Sequence, residues 1–257
     1  MNYKLREVGE GVWAAIVDDD APAVGNAAIV DLDDETLVFD TTMSFQLAER
    51  LREDARRLTG RAPSIVANSH WHGDHILGNQ SFTDARIVST TRTRELIGTR
   101  AAARLEENKA RYEKDAPELL AIVLTPPTET FDDVLDLGRA ELLTYGGGHT
   151  ESDAFLWIAD AGVLLAADLV VIDSHAWVGD GDVPTWRRIL MRLAELDPAA
   201  IVPGHGPVGT DDDIALMDAY LEELLRLEPG APLPPEFADL VHPEVFERNL
   251  AALHGPR

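Results

Sequence analysis

Residues 69–75, Ser-His-Trp-His-Gly-Asp-His, place four potential metal ligands within six positions. His70 and His72 lie two residues apart, so in an extended segment their side chains leave the same side of the backbone and can bind one ion together. The following glycine lets the chain turn, and Asp74 and His75 then point elsewhere. A second ion close to the first is the economical use for them. The spacing therefore predicts one loop that serves two metal ions.

Three further candidate ligands each follow a predicted strand. His149 comes after three glycines, Asp168 after the strand 163–167, and His205 lies in a Pro-Gly-His-Gly run. In α/β sheets, ligands gather outside the carboxyl ends of strands. With the strand 65–67 leading into the histidine-rich run, four strand ends would bring seven metal-binding groups to one rim. No Lys-Ser/Thr follows the three glycines, which favours a tight turn that frees His149 over a phosphate cradle.

The elements that must position these groups are short β-runs followed or separated by amphipathic helices. The charged, helical segment 91–120 is a candidate to cover the site. The patterns predict strands at 12–17, 27–32, 36–39, 65–67, 86–89, 134–137, 141–145, 154–158, 163–167 and 201–202, and helices at 43–58, 186–196, 214–227 and within 236–253.

Composition limits the function. The net charge of -24 over 257 residues would repel phosphate backbones and anionic lipid surfaces, so no nucleic-acid or membrane partner is expected. There is no cysteine, so disulfides and thiolate ligands are excluded and any metal must sit on histidine and carboxylate. The basic residues near the start precede no apolar stretch, which argues against a secretory signal and predicts a cytoplasmic location.

The pattern His-x-His-x-Asp-His at residues 70–75, followed in order by His149, Asp168 and His205, resembles the metallo-β-lactamase-fold superfamily. The resemblance covers about residues 10 to 208. It implies an α/β fold, an αβ/βα four-layer sandwich of two mixed β-sheets flanked by helices. We expect a single domain over residues 1–257, in which 229–257 form a short C-terminal helical extension.

The resemblance also implies a two-metal site. His70, His72 and His149 would bind the first ion, the second would lie on Asp74, His75 and His205, and Asp168 would bridge both. Imidazole and carboxylate suit two divalent ions, zinc first, with iron or manganese as alternatives. Asp74 is the candidate catalytic residue, orienting the attacking water and relaying its proton.

Three other residues are candidates for supporting roles. Asp40, at the end of a predicted strand, resembles the family's strand-end aspartate and could hydrogen-bond a ligand histidine, with a plain turn or helix-cap role as the alternative. His175 and Trp177 follow Asp168 and could line a substrate pocket. For these two residues a packing or surface role is the favoured alternative.

These features predict a cytoplasmic metal-dependent hydrolase that acts on a small-molecule ester, thioester, lactone or β-lactam-type bond. One alternative is an iron-dependent oxidoreductase that resembles the sulfur dioxygenases of the superfamily. Another is a non-catalytic, metal-containing interaction module. Substrate, native metal and oligomeric state are not encoded in any pattern that the sequence displays, because loops set pocket walls.

Overall fold

A computed structural model describes residues 2–17, 24–112, 114 and 117–255, and its strands form two sheets. The first sheet has the order β1-β2-β3-β4-β5-β6-β7, antiparallel from β1 to β4 and parallel from β4 to β7. Its strands are β1 Tyr3–Gly9, β2 Val12–Val17, β3 Ala27–Asp31, β4 Thr36–Phe39, β5 Ile65–Ala67, β6 Arg86–Thr90 and β7 Glu129–Phe131.

The second sheet has the order β12-β11-β10-β9-β8 and is antiparallel except for the β11–β12 pair. Its strands are β8 Val134–Asp136, β9 Glu141–Thr144, β10 Ala154–Ile158, β11 Val163–Val171 and β12 Ala200–His205. Both sheets are therefore mixed.

Helices cover the outer face of each sheet. The α-helices are α1 Phe45–Thr59, α2 Gly73–Ile76, α3 Thr91–Leu96, α4 Ala102–Arg111, α5 Val183–Ala194, α6 Asp211–Arg226 and α7 Pro243–His254. A π-helical turn, Ile97–Ala101, joins α3 to α4, and 3₁₀ segments occur at Leu77–Phe82, Pro117–Ala121 and Pro235–Phe237. In the part of the chain that the structure describes, none of the helices has the length and apolarity to cross a bilayer.

The layers follow from alternation along the strands. In β11, Leu164 and Ala166 pack towards α5 and α6, whereas Leu165 and Ala167 pack between the sheets. A separate cluster that includes Leu51 of α1 covers the outer face of the first sheet. The result is the predicted αβ/βα sandwich of four layers.

Most predicted elements form within one or two residues of their expected bounds. Helix α1, predicted at 43–58, begins after the cap Ser44, whose hydroxyl accepts the Leu47 amide, and ends at Gly60 with φ 76°. Strands β1 and β7 were not predicted. In the extension, the helix begins only at Pro243, because that proline suits the first helical position and a 3₁₀ turn precedes it.

Two predictions about strand ends are wrong. His205 is predicted to follow a strand at 201–202, but β12 runs from Ala200 to His205 and contains it. Asp168 was placed after a strand that ends at Ala167, but β11 continues to Val171 and contains Asp168. The pairing of β11 with β12 shifts on both sides of Ala167, whose φ is 46°. This bulge aims Asp168 out of the regular alternation.

The segment predicted to be helical at 91–120 packs behind the histidine-rich loop. Leu96, Ile97 and Leu105 form a buried cluster with Trp71, the residue between His70 and His72. Residues 113, 115 and 116 of this segment lie outside the described part of the chain. The described part therefore supports the loop from behind.

Candidate metal centre

The seven predicted ligands come from both sheets and meet at one edge of the sandwich. His70 and His72 follow β5, and the short helix α2 carries Asp74 and His75. From the second sheet come His149, in the turn between β9 and β10, Asp168, at the β11 bulge, and His205, the last residue of β12. Their potential ligand atoms form two groups, each with all its atoms within 4.8 Å of one another.

The first group contains His70, His72, His149 and Asp168. His72 Nδ1 lies 3.0 Å from His149 Nε2. Asp168 Oδ2 lies 3.2 Å from His149 Nε2 and 3.9 Å from His70 Nε2. Three imidazole nitrogens and one carboxylate oxygen therefore converge on a common point.

The second group contains Asp74, His75 and His205. Asp74 Oδ2 lies 3.4 Å from His75 Nε2 and 3.3 Å from His205 Nε2. Asp168 also faces this group, with Oδ1 3.1 Å from His75 Nε2 and Oδ2 3.5 Å from His205 Nε2. One carboxylate thus contacts both groups, which is the arrangement of a bridging ligand.

The ligand atoms are better placed to bind a metal ion than to hydrogen-bond one another. Among the described residues, His70 Nε2, His75 Nε2 and Asp168 Oδ1 are buried and make no hydrogen bond of good geometry, although His75 Nε2 and Asp168 Oδ1 lie 3.1 Å apart. Buried polar atoms are normally satisfied, so unpartnered ones that face a common point indicate a missing ligand. Nitrogen ligands about 2 Å from a tetrahedral zinc ion lie roughly 3.3 Å apart, close to the separations found here. The residues present fit a metal site.

Hydrogen bonds behind the ligands fix their orientation. Asp40 is buried, has φ 58°, and accepts from His75 Nδ1 at 2.7 Å and from the amide and hydroxyl of Ser69 at 2.8 and 2.7 Å. The Ser69 hydroxyl lies 2.9 Å from His70 Nδ1. With Nδ1 of both rings acting as donors, Nε2 is the atom of His70 and of His75 that is left to bind a metal. The structure thus places Asp40 behind the ligands.

Local sequence explains how His149 and Asp168 reach the site. The Asp153 carboxylate accepts the amides of Gly148 and Thr150, on either side of His149, at distances from 2.8 to 3.1 Å. At Gly204, an added Cβ would lie 1.8 Å from Asp168 Oδ1, so only glycine fits beside that carboxylate.

The side chains of the cluster set one another's charge. Burial disfavours the ionised form of Asp168, but His205, His75 and His149 outweigh burial and hold the pKa of Asp168 well below its usual range. Burial lowers the pKa of His70, which keeps that imidazole neutral. Burial acts in the same direction on His205, yet Asp168 and Asp74 raise its pKa to about 10. Ionised carboxylates are thus balanced by imidazolium protons, and a cation can take the place of those protons.

The other two predicted residues lie behind the cluster. His175 is buried, with Nδ1 3.0 Å from the Tyr220 hydroxyl and its ring against Phe246, so the structure places it in the core of the second sheet's helical layer. Trp177 is half-buried, and its carbonyl oxygen lies 3.1 Å from His149 Nδ1.

Sequence reasoning missed Asp180. Its Oδ2 lies 3.1 Å from His72 Nε2 and 2.7 Å from Trp177 Nε1, and Arg104 approaches it at 3.6 Å. Burial opposes ionisation of Asp180, but the contacts from His72 and Trp177 hold its pKa well below the usual range. The only signal was its place in an irregular run shortly after Asp168.

A family model, the Metallo-beta-lactamase superfamily, matches residues 21–205. This chain belongs to that superfamily. A curated relative, the beta-lactamase-like protein 2 homolog of Caenorhabditis elegans, is 25% identical over 169 residues, which are 63% of this chain and 48% of the relative. The chain therefore spans about half the length of that relative.

Solved structures of superfamily members share the fold. A metallo-beta-lactamase from Hirschia baltica superimposes with a TM-score of 0.71 at 15% identity, covering 86% of this chain and 98% of that chain. The metallo-beta-lactamase FIM-1 from Pseudomonas aeruginosa was solved in a mono-zinc form and superimposes with a TM-score of 0.70 at 15% identity. The match covers 87% of this chain and 96% of that chain. These likenesses support the four-layer sandwich derived above.

Proposed function

We propose that this chain is a hydrolase that uses two divalent metal ions, zinc first among them, on a small-molecule ester, thioester, lactone or β-lactam-type bond. The observation that carries the proposal is the position of Asp168, whose carboxylate contacts His149 of the first ligand group and His75 and His205 on the side of the second. His70, His72 and His149 would hold one ion, Asp74, His75 and His205 the other, and Asp168 would bridge both. Bound ions would supply a water of lowered pKa and polarise the carbonyl under attack.

Asp74 is the proposed catalytic residue. It stands at the less buried side of the site, with 15% of its side chain exposed, so substrate and water can reach it. Burial raises its pKa, but His75 and His205 outweigh burial and hold the pKa well below its usual range. A carboxylate of low pKa is a weak base, so Asp74 is better suited to orienting the attacking water than to taking its proton outright.

A cleft of about 840 Å³ adjoins this site and is large enough for a small molecule. Its walls include Asp180, which contacts His72, and Gly147 and Thr150, which flank the His149 turn. Arg100 also lines the cleft. None of the seven proposed ligands lines this cleft, so we propose that it holds an outer part of the substrate and not the bond that is cleaved. We also propose that nucleic acids are not partners, because the strong negative charge of the chain repels phosphate backbones.

The first test is elemental analysis of the purified protein, with a hydrolysis panel of esters, thioesters, lactones and β-lactams on the same sample before and after chelation. We expect near two equivalents of zinc or manganese and turnover that the chelator abolishes. Protein that binds metal fully yet hydrolyses nothing would instead support a non-catalytic role.

A ligand variant with a matched control makes the test specific. His72→Ala should lose metal and turnover together, because the removal of one ligand leaves an incomplete site. His254→Ala changes an exposed histidine of α7 and should leave both unchanged. Wild-type metal content and turnover in His72→Ala would rule out the ligand assignment.

The donor set also favours one alternative function. Histidine and carboxylate without sulfur suit iron as well as zinc, and the sequence contains no cysteine. An iron-dependent oxidoreductase would contain stoichiometric iron and consume oxygen in the presence of its substrate. Protein with that behaviour and no hydrolysis would replace the hydrolase proposal.

A further inference from the structure

Helix α7 lies beyond the family match, which ends at residue 205, yet it carries a fully buried polar side chain. Asn249 is 0% exposed and sits beside the apolar residues Phe246 and Leu250, which anchor the helix in the core. A buried amide is costly unless it is hydrogen-bonded, so its partners show what it does.

Asn249 holds the backbone on both sides of Trp177. Its Nδ2 donates to the carbonyl of Ala176 at 2.6 Å, and its Oδ1 accepts the amide of Val178 at 3.1 Å. The same Nδ2 donates to the Tyr220 hydroxyl at 3.2 Å. The peptide units that flank Trp177 are therefore fixed to α7.

Trp177 in turn contacts His149 directly and His72 through Asp180. Its carbonyl oxygen lies 3.1 Å from His149 Nδ1. Its indole Nε1 donates to Asp180 Oδ2 at 2.7 Å, and the same oxygen lies 3.1 Å from His72 Nε2. The outer nitrogens of both imidazoles thus meet acceptors from residues 177–180.

These acceptors select one tautomer of each ring. With a proton on His149 Nδ1 and on His72 Nε2, lone pairs remain on His149 Nε2 and His72 Nδ1. Those two atoms lie 3.0 Å apart in the first ligand group, a separation at which a metal ion or one shared proton must lie between them. Carbonyl and carboxylate partners of this kind orient histidine ligands and raise their basicity.

Residues 177–181 also contact both α7 and the His149 turn. The Arg248 guanidinium of α7 lies 4.7 Å above the Trp177 ring. At Gly181, an added Cβ would lie 2.0 Å from the carbonyl oxygen of Gly148, the residue before His149. These contacts connect α7 to the His149 turn through residues 177–181, so a shift at Asn249 has a direct path to the imidazoles.

We infer that Asn249 is a positioning residue of the metal centre, which sets the tautomers of His72 and His149 through residues 176–180. The part of this inference that concerns metal affinity rests on the proposed function. The part that concerns tautomers is a property of the protein alone and can be measured without metal.

The test compares Asn249→Ala with Leu250→Ala. The first variant removes the three hydrogen bonds, and the second truncates the adjacent buried residue of α7 while leaving those bonds in place. Imidazole nitrogen NMR of the metal-free proteins reports the tautomers, and competition with a chelator reports zinc affinity. We expect Asn249→Ala to show mixed tautomers at His72 and His149 and about tenfold weaker zinc binding. Leu250→Ala should lower only the melting temperature.

A second variant, Trp177→Phe, separates the two branches and serves if Asn249→Ala does not fold. It removes the indole donor to Asp180 but keeps the carbonyl that faces His149, so the tautomer of His72 should change and that of His149 should not. Single, wild-type tautomers in both variants would overturn the inference. If the wild-type protein binds no zinc, the proposed function fails, while the NMR comparison still decides the role of Asn249.

Discussion

The substitution Asp40→Asn tests how the ligand histidines are prepared, because it preserves shape while replacing one acceptor oxygen by a donor. One oxygen of Asp40 accepts the Ser69 amide, and the other accepts both the Ser69 hydroxyl and His75 Nδ1. An asparagine cannot reproduce this set of acceptors. If its oxygen faces the Ser69 amide, its NH₂ group faces His75 Nδ1, and if it is flipped, the NH₂ group meets the Ser69 amide proton.

The first orientation makes His75 accept at Nδ1 and carry its proton on Nε2. The Ser69 hydroxyl, now an acceptor from the asparagine, is free to donate to His70 Nδ1, 2.9 Å away, which moves the His70 proton to Nε2 as well. Both Nε2 atoms would then lack a lone pair for metal. Loss of such supporting partners typically costs 10- to 100-fold in metal affinity, or about 1.4 to 2.8 kcal/mol. The flipped orientation leaves a buried donor unpaired, which destabilises the fold by about 1–3 kcal/mol.

The assay is a competitive chelator titration of zinc on wild-type and variant proteins, with urea unfolding of the metal-free proteins beside it. Asp84→Asn is the matched control, since Asp84 is an exposed partner of Arg52 and belongs to neither ligand group. The control should bind zinc like the wild type. The reasoning is refuted if Asp40→Asn binds both zinc equivalents with wild-type affinity and unfolds at the same urea concentration.

Two further predictions concern stability. Chelation should lower the melting temperature by roughly 5 to 10 °C, because zinc at 100 times its dissociation constant stabilises the folded state by about 2.7 kcal/mol, and an unchanged melting curve would contradict tight binding. Burial lowers the pKa of His175 in the folded protein, so folding favours its neutral form. The resulting stability is fully present above the unfolded-state pKa of about 6.5, and it is lost as the pH falls through the lower folded-state pKa. His175→Leu should therefore lose less stability than the wild type between pH 7.5 and 5.5 in urea unfolding, and equal losses would show that His175 does not titrate with folding.

The fold was largely predictable because its strongest signals are local. The apolar spacing of α1 and its stop at Gly60, and the buried runs of β10 and β11, are patterns that a helix or a strand produces by itself. Strand β1 was missed because its residues are mostly exposed or half-exposed and alternate weakly. Strand β7 is three residues long and is defined by its pairing with β6. No local sequence pattern predicts that pairing.

The candidate site was predictable to the extent that its residues are clustered or follow strands. The spacing of the ligands within residues 70–75 indicates a metal site, and the neighbouring glycines indicate that His149 and His205 are candidate ligands. The bulge at Ala167 was not predictable, because it arises from pairing between β11 and β12 and not from the composition of β11. Asp180 and Asn249 were also missed, since their roles depend on contacts with residues 108 and 71 positions away in the chain.

The division of the ligands between the sheets links the site to the stability of the whole sandwich. His70, His72, Asp74 and His75 belong to the first sheet's loop, whereas His149, Asp168 and His205 belong to the second sheet. Any ion held by either group must therefore join the two sheets, with Asp168 reaching across to His75 at 3.1 Å. Without an ion, contacts between carboxylates and imidazolium protons join the sheets here, beside the hydrogen bonds of Asn26 to the backbone of residues 203–206. Acid removes the charged contacts by protonating the carboxylates. Metal binding should for this reason strengthen the association of the sheets as well as prepare the chemistry, since its free energy is available only when both halves are in place.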